Sequence, residues 1–516
     1  MSYHKKTILL IAIATLIRCI IAVYTDLGND EVYYRMYAQQ LQWNYFDHPP
    51  MVGWLIRLTT VNLWLDNELF IRLGAISSAA ITTWLLYLCG KKINTEYTGF
   101  LAASLYTATV YGSIIAGTFI LPDSPQMVCW SAGLYLLLGI TEYTHINQTK
   151  KRKLILFGIV AGLGMLCKIH TAFLWLGFLF YIFFHNRAWL KESSLYLSGL
   201  ITLVLFYPVI QWNIDHHFVT YLYHGKRVSI ADAGLNISTF ATFTAGQVLY
   251  TNPLLTPYLV IAVVAACKNR LPMLASQKRV LLFCSLPLLG IALLVSFFKE
   301  VLPHWTGPAF LGLVLLTACW FSKQTFTRAK QSLPMAIRLA SILLMLVVAL
   351  ALPLIQYLPG TLGKKAGTTI GDGDFSLDMY GWKKLRKAFS SVIDADIKAG
   401  RMQANPHLVT NKWFPAAHLD YYVAMPLGVN LLAVGDTNDI HQYVWLNQIR
   451  RPIKPSDDAY VIVPSNNYID VALVYGRYFS SLEPMPAIEQ YRNGVICRRF
   501  YVWRLKSYKG MRKTDE

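Results

Sequence analysis

Residues 7–24, TILLIAIATLIRCIIAVY, run directly into a long polar and aromatic stretch, residues 26–50, DLGNDEVYYRMYAQQLQWNYFDHPP. A helix needs about 20 mostly apolar residues to cross a bilayer, and the first stretch comes close to that length. Its basic start, His4-Lys5-Lys6, could be the head of a secretory signal. The apolar run shows no A-x-A-like cleavage site and further runs follow, so it reads as an uncleaved signal anchor.

Working outward, ten more apolar runs lie near 69–90, 98–120, 125–143, 154–167, 171–186, 195–212, 246–266, 280–298, 305–322 and 338–356, eleven in all with the first. The composition agrees: 55% hydrophobic, 15% charged and a mean hydropathy of +0.39, far from a soluble or disordered chain. The net charge of +19 resides largely in clusters between runs: Lys5-Lys6, Lys91-Lys92, Lys150 to Lys153, Lys278-Arg279, and Lys323, Arg328, Lys330 and Arg338. Placing these on the cytoplasmic side puts the N-terminus inside and the chain after the last run outside. Basic clusters of this kind meet anionic lipid and do not form the aromatic-interleaved groove of a nucleic-acid binder.

Acids follow the opposite distribution. Asp26, Asp30, Glu31, Asp47, Asp66, Glu68, Asp123, Asp215, Asp232 and Glu300 fall in outward segments, against Glu96, Glu142 and Glu192 inside. Insertion does not require this bias, which suggests chemistry on the outer face. The fold expected is therefore a membrane all-α domain of about eleven transmembrane helices over 1–356, with a first outer loop at 25–67. A C-terminal extracytoplasmic α/β domain is expected over 357–516, entered through a Gly-rich linker at 360–373. Its strands are predicted at 407–410, 431–434, 460–463 and 495–502, its helices at 378–399, 415–424 and 469–479.

Seven of the eight cysteines (Cys19, Cys89, Cys129, Cys167, Cys267, Cys284 and Cys319) fall in apolar runs, leaving Cys497 alone in the outer domain with no ligand spacing for zinc. The phosphate loop GxxxxGK[ST], the GxSxG elbow and the HExxH helix are absent, which disfavours an ATP-driven pump or a zinc protease. Asp30 and Glu31 stand where an interfacial helix begins, so their simplest role is to cap it. In Phe46-Asp-His-Pro-Pro50 two prolines fix the chain and aim Asp47 and His48 from a rigid turn.

Several of these segments resemble a known family. Asn29-Asp-Glu-Val-Tyr-Tyr34, Tyr45-Phe-Asp-His-Pro-Pro-Met-Val-Gly-Trp-Leu55, Arg72-Leu73, Leu121-Pro-Asp-Ser-Pro125, Gly162-Leu-Gly-Met-Leu-Cys-Lys168, Gly246-Gln247 and Leu302-Pro-His-Trp305 look like the bacterial relatives of the protein O-mannosyltransferases, among them the lipid A aminoarabinose transferase. The resemblance covers the membrane part well and the outer domain loosely. It implies a GT-C fold and a glycosyltransferase that draws a hexose or pentose from a polyprenyl-phosphate carrier, its acceptor a lipid A, a glycan or a protein.

By that resemblance Asp30 is the general base on the acceptor, with Glu31 beside it and Asp123 a further candidate in the catalytic set. One base without a carboxylate nucleophile implies inversion at C1. His48, where the aminoarabinose transferase has a Lys, and Lys168 are the candidates for the donor phosphate. Lys168 lies between two apolar runs, where a charge is costly; its bland alternative is snorkelling to the headgroups. Tyr33, Tyr34, Gln247, His304 and Trp305 are candidates for contact with sugar or acceptor, although Trp305 also suits an interfacial belt. No cofactor is called for, and analogy alone admits a divalent metal at Asp47. The implied setting is the inner or plasma membrane, multi-pass, with the C-terminal domain periplasmic or extracellular. Two competing readings are a lipid-linked sugar flippase or other transporter, whose ionisable groups would lie at mid-membrane in paired repeats, and a polysaccharide ligase or polymerase.

Overall fold

A computed structural model describes residues 1–231, 233–325 and 332–510; Asp232, Arg328 and Lys330 of the charge pattern lie outside them. The helices are α1 (Tyr3–Tyr24), α2 (Asn29–Tyr37), α3 (Met51–Thr59), α4 (Glu68–Ile93), α5 (Glu96–Thr107), α6 (Asp123–Ile140), α7 (Gln148–Cys167), α8 (Ala172–His185), α9 (Ser193–Asp215), α10 (Val219–Val228), α11 (Ile237–Thr251), α12 (Thr256–Cys267), α13 (Ala275–Ser296), α14 (Phe310–Thr325), α15 (Met335–Tyr357) and α16 (Trp382–Lys398), with shorter turns between and beyond. Contacts divide the chain into two compact units. One comprises Met1–Ala22 and Tyr37–Val348; the other joins Val23–Met36 to the chain from Ala349 on. The division thus falls at 348/349, not at 356/357, and takes a piece of the first loop with the C-terminal part.

Helix forms within every apolar run, and the helices differ in length and apolarity. Among the described residues six helices are long and apolar enough to cross a membrane: α1, α4, α9, α13, the 3-10 turn Pro303–Ala309 continued by α14, and α15. The bent pair α11 and α12, turned by 93° at Asn252, makes a seventh if taken as one span. The other expected spans fall short of that length and composition for physical reasons. The 98–120 run breaks after α5 into a π turn at Tyr111–Ile115, α6 opens on the polar Asp123-Ser-Pro-Gln126, α7 opens on Lys150 to Lys153, and α8 has 14 residues.

Small residues let these helices approach. A Cβ on Gly158 of α7 would lie 2.3 Å from the Ser198 carbonyl oxygen of α9, and one on Gly90 of α4 would lie 2.7 Å from Gly99 Cα of α5. At the first crossing the Thr202 hydroxyl donates to the Gly158 carbonyl at 2.8 Å. Trp130, Leu134, Phe157, Phe178, Leu281 and Leu315 belong to the shared core. On α1, by contrast, Ile8, Leu9, Ile13, Leu16 and Ile20 are exposed while Ala14, Arg18 and Ile21 are buried, the inverse of a soluble helix. Glu96, Glu142 and Glu192, the acids read as inward, each pair with a lysine: Lys91 at 2.8 Å, Lys92 at 3.3 Å and Lys151 at 2.5 Å.

The second unit is built on a sheet in the order β2-β1-β3-β6-β4, with β5 also on β6. Its strands are β1 (His407–Thr410), β2 (Asn430–Ala433), β3 (Ala459–Pro464), β4 (Phe479–Pro484), β5 (Ile488–Arg492) and β6 (Val495–Tyr508). β1 runs parallel to β2 and β3, and β6 antiparallel to β3, β4 and β5. Leu385, Phe389 and Ile393 form the buried stripe of α16, and Phe389 meets Tyr460 of β3 edge-on at 5.2 Å. The sequence reading missed β4, which is mostly exposed, and β5, whose buried positions are the polar Gln490 and Arg492, and expected a helix at 469–479 where only Val471–Tyr475 is helical. Nor is 360–373 a free linker. Asp374 accepts from the Thr361 hydroxyl and the Leu362 amide, each at 2.8 Å, and pairs with the fully buried Arg492 at 2.9 Å, folding the glycine turns onto the sheet.

Candidate functional site

The sequence-predicted residues fall into two groups, one in each unit. In the second unit Val23–Met36 is held by side chains more than three hundred residues away. The Tyr422 hydroxyl accepts from the Leu27 amide at 2.7 Å, a His418 ring nitrogen meets the Leu27 carbonyl at 3.1 Å, and Asp26 accepts from the Trp382 amide at 3.2 Å. Asn29 donates to Asp378 at 3.0 Å.

Asp30, the second residue of α2, is exposed, whereas Glu31 is 2% exposed and turns back to accept the Gly28 amide at 2.9 Å. This is the reciprocal half of a capping box, by which Glu31 braces the turn that presents Asp30. Tyr33 and Tyr34 are buried too. The Tyr33 hydroxyl accepts from the Gln442 amide at 3.2 Å and its ring packs on Trp413 at 5.0 Å, so Tyr33 is part of the brace. Beside Asp30, burial raises the Asp378 carboxyl to about 6; Arg498 and the Asn29 bond oppose this, and the Asp374 and Asp30 charges add to it.

In the first unit a cavity of about 200 Å³ gathers residues from four separate stretches. Asn44, Asp47 and His48 come from the first loop, Lys168 and His170 from the end of α7, Asn213, Thr220 and His224 from α9 and α10, and Trp305 from the Pro303 turn. Ile169, Phe206, Val209 and Val228 give it an apolar wall. Lys168 is 4% exposed and pairs at 2.9 Å with Asp123, itself 1% exposed and bonded to the Tyr111 hydroxyl at 2.9 Å. Asp123 is thus the buried counter-ion of Lys168.

Burial, with His224, Lys168, His304 and His170 around it, holds the His48 imidazole well below its ordinary value. His224 is lowered by burial, Arg227 and Lys168, against the bond its ring makes to the Asp47 carbonyl. Both rings are therefore neutral near pH 7 and 5.7 Å apart. Arg227 lies over the Trp305 ring at 5.5 Å.

Among the described residues three buried atoms around this cavity have no hydrogen-bond partner: Asn44 Oδ1, Asn213 Oδ1 and His170 Nδ1. Buried polar atoms are normally satisfied, so a cavity edged by several suits a polar ligand. Gln247 is placed otherwise: its amide donates to the Pro303 carbonyl at 3.0 Å and accepts from the Thr306 hydroxyl at 2.7 Å, so it fixes the turn that carries His304 and Trp305. A metal at Asp47 does not fit. Among the described residues no three His, Cys, Asp or Glu side chains converge on one point, and an Asp47 carboxylate oxygen takes the Tyr37 hydroxyl. The sequence reading missed Asn44, His170 and Asn213. A His two places after an intramembrane Lys was the one signal it could have used.

The described residues combine helices long and apolar enough to cross a membrane, a cavity that sets Lys168 and three histidines against an apolar wall, and a sheet-based C-terminal unit. Residues 47–212 match the family described as dolichyl-phosphate-mannose-protein mannosyltransferase. The chain is 21% identical over 297 residues to the lipid A galacturonosyltransferase RgtD of Rhizobium johnstonii, a match covering 57% of this chain and spanning only 60% of that protein's length. Its fold is similar to that of ArnT from Cupriavidus metallidurans, with a TM-score of 0.60 to both the apo form (13% identity, 97% of this chain and 98% of that one) and the form bound to undecaprenyl phosphate (14% identity, 98% and 99%). The family resemblance read from the motifs is the one these likenesses return.

Proposed function

We propose that the protein is an integral membrane glycosyltransferase of the inner or plasma membrane. It moves one sugar from a polyprenyl-phosphate carrier to a hydroxyl of a lipid, glycan or protein acceptor on the outer side. The observation that carries this reading is the cavity of Lys168, His48, His170 and His224 against an apolar wall, a combination suited to a phosphate esterified to a long hydrocarbon. The undecaprenyl phosphate bound by the Cupriavidus ArnT supports it.

In the reaction proposed, Asp30 removes the proton from the acceptor hydroxyl as that oxygen bonds to C1 and the bond from C1 to the phosphate oxygen breaks. Charge gathers on the departing phosphate, where Lys168 donates with the two N–H groups not committed to Asp123. His48 and His224 add charge only when protonated. Asn44 Oδ1 and Asn213 Oδ1 can accept from sugar hydroxyls. With a single base and direct displacement, the product is inverted at C1.

The test is transfer of radiolabelled sugar from polyprenyl-phosphate donors by the purified protein, with a total membrane extract as acceptor. Label appearing in a product, and lost with Asp30→Asn, supports the reading. No transfer from any donor, together with intact donor crossing reconstituted vesicles, overturns it in favour of a transporter.

A further inference from the structure

Arg18 is the one charged residue within α1 beyond its basic start, and it is 2% exposed. It sits six residues before the end of the helix, about 9 Å along the axis from Tyr24. A charge within a spanning segment is expensive and ordinarily faces an opposite charge. Here, among the described residues, no carboxylate pairs with it, and the charge partners around it are Tyr106 and Cys19. Nε donates to the Ser113 carbonyl at 3.3 Å, and Nη2 to the Gly112 carbonyl at 3.3 Å and the Ser113 hydroxyl at 3.5 Å. These acceptors belong to the π turn, whose i to i+5 pattern displaces its carbonyls from the α-helical ladder. A guanidinium has five N–H groups. Among the described residues the guanidinium bonds through Nε and Nη2 alone, each bond 3.3 Å or longer.

The same guanidinium lines a second cavity of about 200 Å³, otherwise walled by Leu10, Ile13, Ile17 and Ile21 of α1 and by Leu344, Met345 and Val348 of α15. The cleft follows α1 from Leu10 to Ile21, a rise of about 16 Å. Its hydroxyls are spent on the protein: Thr107 on the Ala103 carbonyl, Ser113 on the Thr107 carbonyl, Ser341 on the Ile337 carbonyl. Among the described residues that line it, Arg18 is thus the side chain with donors to spare. Ile13 and Met345 line the cleft and are also exposed on the apolar surface, so a hydrocarbon chain could enter sideways from the bilayer.

We propose that this cleft binds a phosphate-headed lipid, one chain lying along α1 and α15 and the phosphate meeting Arg18 near the end of the helix. The cost of burying the guanidinium is already met in the fold, so an incoming anion gains a charge-assisted bond there without a second burial of the cation. The site is separate from the Lys168 cavity and does not rest on the proposed transfer activity. Two sources share its chemistry, a membrane phospholipid and an isoprenyl phosphate.

The test uses the full chain in detergent with three probes: dioctanoyl phosphatidylglycerol, farnesyl phosphate and uncharged farnesol. The dissociation constant of each is measured for wild type, Arg18→Met, Arg18→Lys and Leu344→Trp. The proposal expects at least one phosphate probe to weaken by about tenfold or more in Arg18→Met, to recover in part in Arg18→Lys, and to weaken when Leu344→Trp fills the cleft. Which phosphate probe responds identifies the source. Affinities unchanged in every variant, or farnesol responding to Arg18 as strongly as the phosphates, would overturn it. Should Arg18→Met fail to fold, Leu344→Trp, which leaves the guanidinium in place, decides alone.

Discussion

Asp30 and Asp378 are carboxylates of one unit in contrasting surroundings, the first exposed and the second partly buried and bonded to Asn29. Because the fold raises the Asp378 carboxyl from 3.8 to about 6, the folded protein holds that proton over a range where the unfolded chain has lost it. Stability therefore falls as pH rises from about 4 through 6, and the penalty stays in place above that. Asp378→Asn keeps a bond to Asn29 and removes the penalty. It should raise stability at pH 7 to 8 by on the order of 2 kcal/mol and flatten the pH 4 to 6 slope, read from thermal unfolding across that range. An unaltered slope would place the loss on another group. His48 makes the opposite kind of statement. Its neutral ring must take up a proton to pair with phosphate, so binding of undecaprenyl phosphate should tighten as pH falls, by at most about tenfold per unit for one proton. His48→Ala should lose that dependence, and a dependence that survives the substitution would point to His224 or His170.

Among the elements, the turn from Gly360 to Asp374 depends on one buried pair. Arg492 gives hydrogen bonds to the Gly360 carbonyl, the Ser376 hydroxyl and Asp374. Asp374→Ala would leave its guanidinium buried and uncompensated, at a cost of about 3 to 5 kcal/mol. The expected outcome is a lower unfolding temperature with early proteolytic cleavage between 360 and 374; unchanged cleavage would mean the turn is held by its glycines alone. The same stretch illustrates what sequence leaves hidden. Gly371 and Gly373 read as a linker because glycine permits a free chain, while their positive φ of 87° and 83° serves a fixed turn whose partner lies 118 residues on. The α1 run, Lys168 and Trp305 were legible because each announces itself locally, by hydropathy or by a charge beside apolar helices. Asn44 and Asn213 were not, since their partnerless oxygens come together only when the first loop meets α9 and α10.

For the whole molecule, legibility followed the same line between local and distant causes. Every apolar run holds helix, yet breaks such as the π turn at Tyr111 and the bend at Asn252 are not marked by composition. The division into units was misread at Val23–Met36 because nothing in that segment names Tyr422, His418 or Trp382 as its partners. These long-range bonds place the proposed base in one unit and the proposed phosphate site in the other. The account thus assigns binding of the carrier and removal of the acceptor proton to separate groups. The most direct test measures undecaprenyl-phosphate affinity and transfer rate side by side in wild type, Asp30→Asn and Lys168→Met. Asp30→Asn should keep carrier affinity within about twofold while lowering turnover by ~10² to 10⁴, and Lys168→Met should weaken carrier binding by about tenfold or more. Full turnover in Asp30→Asn, or undiminished carrier affinity in Lys168→Met, would contradict the account.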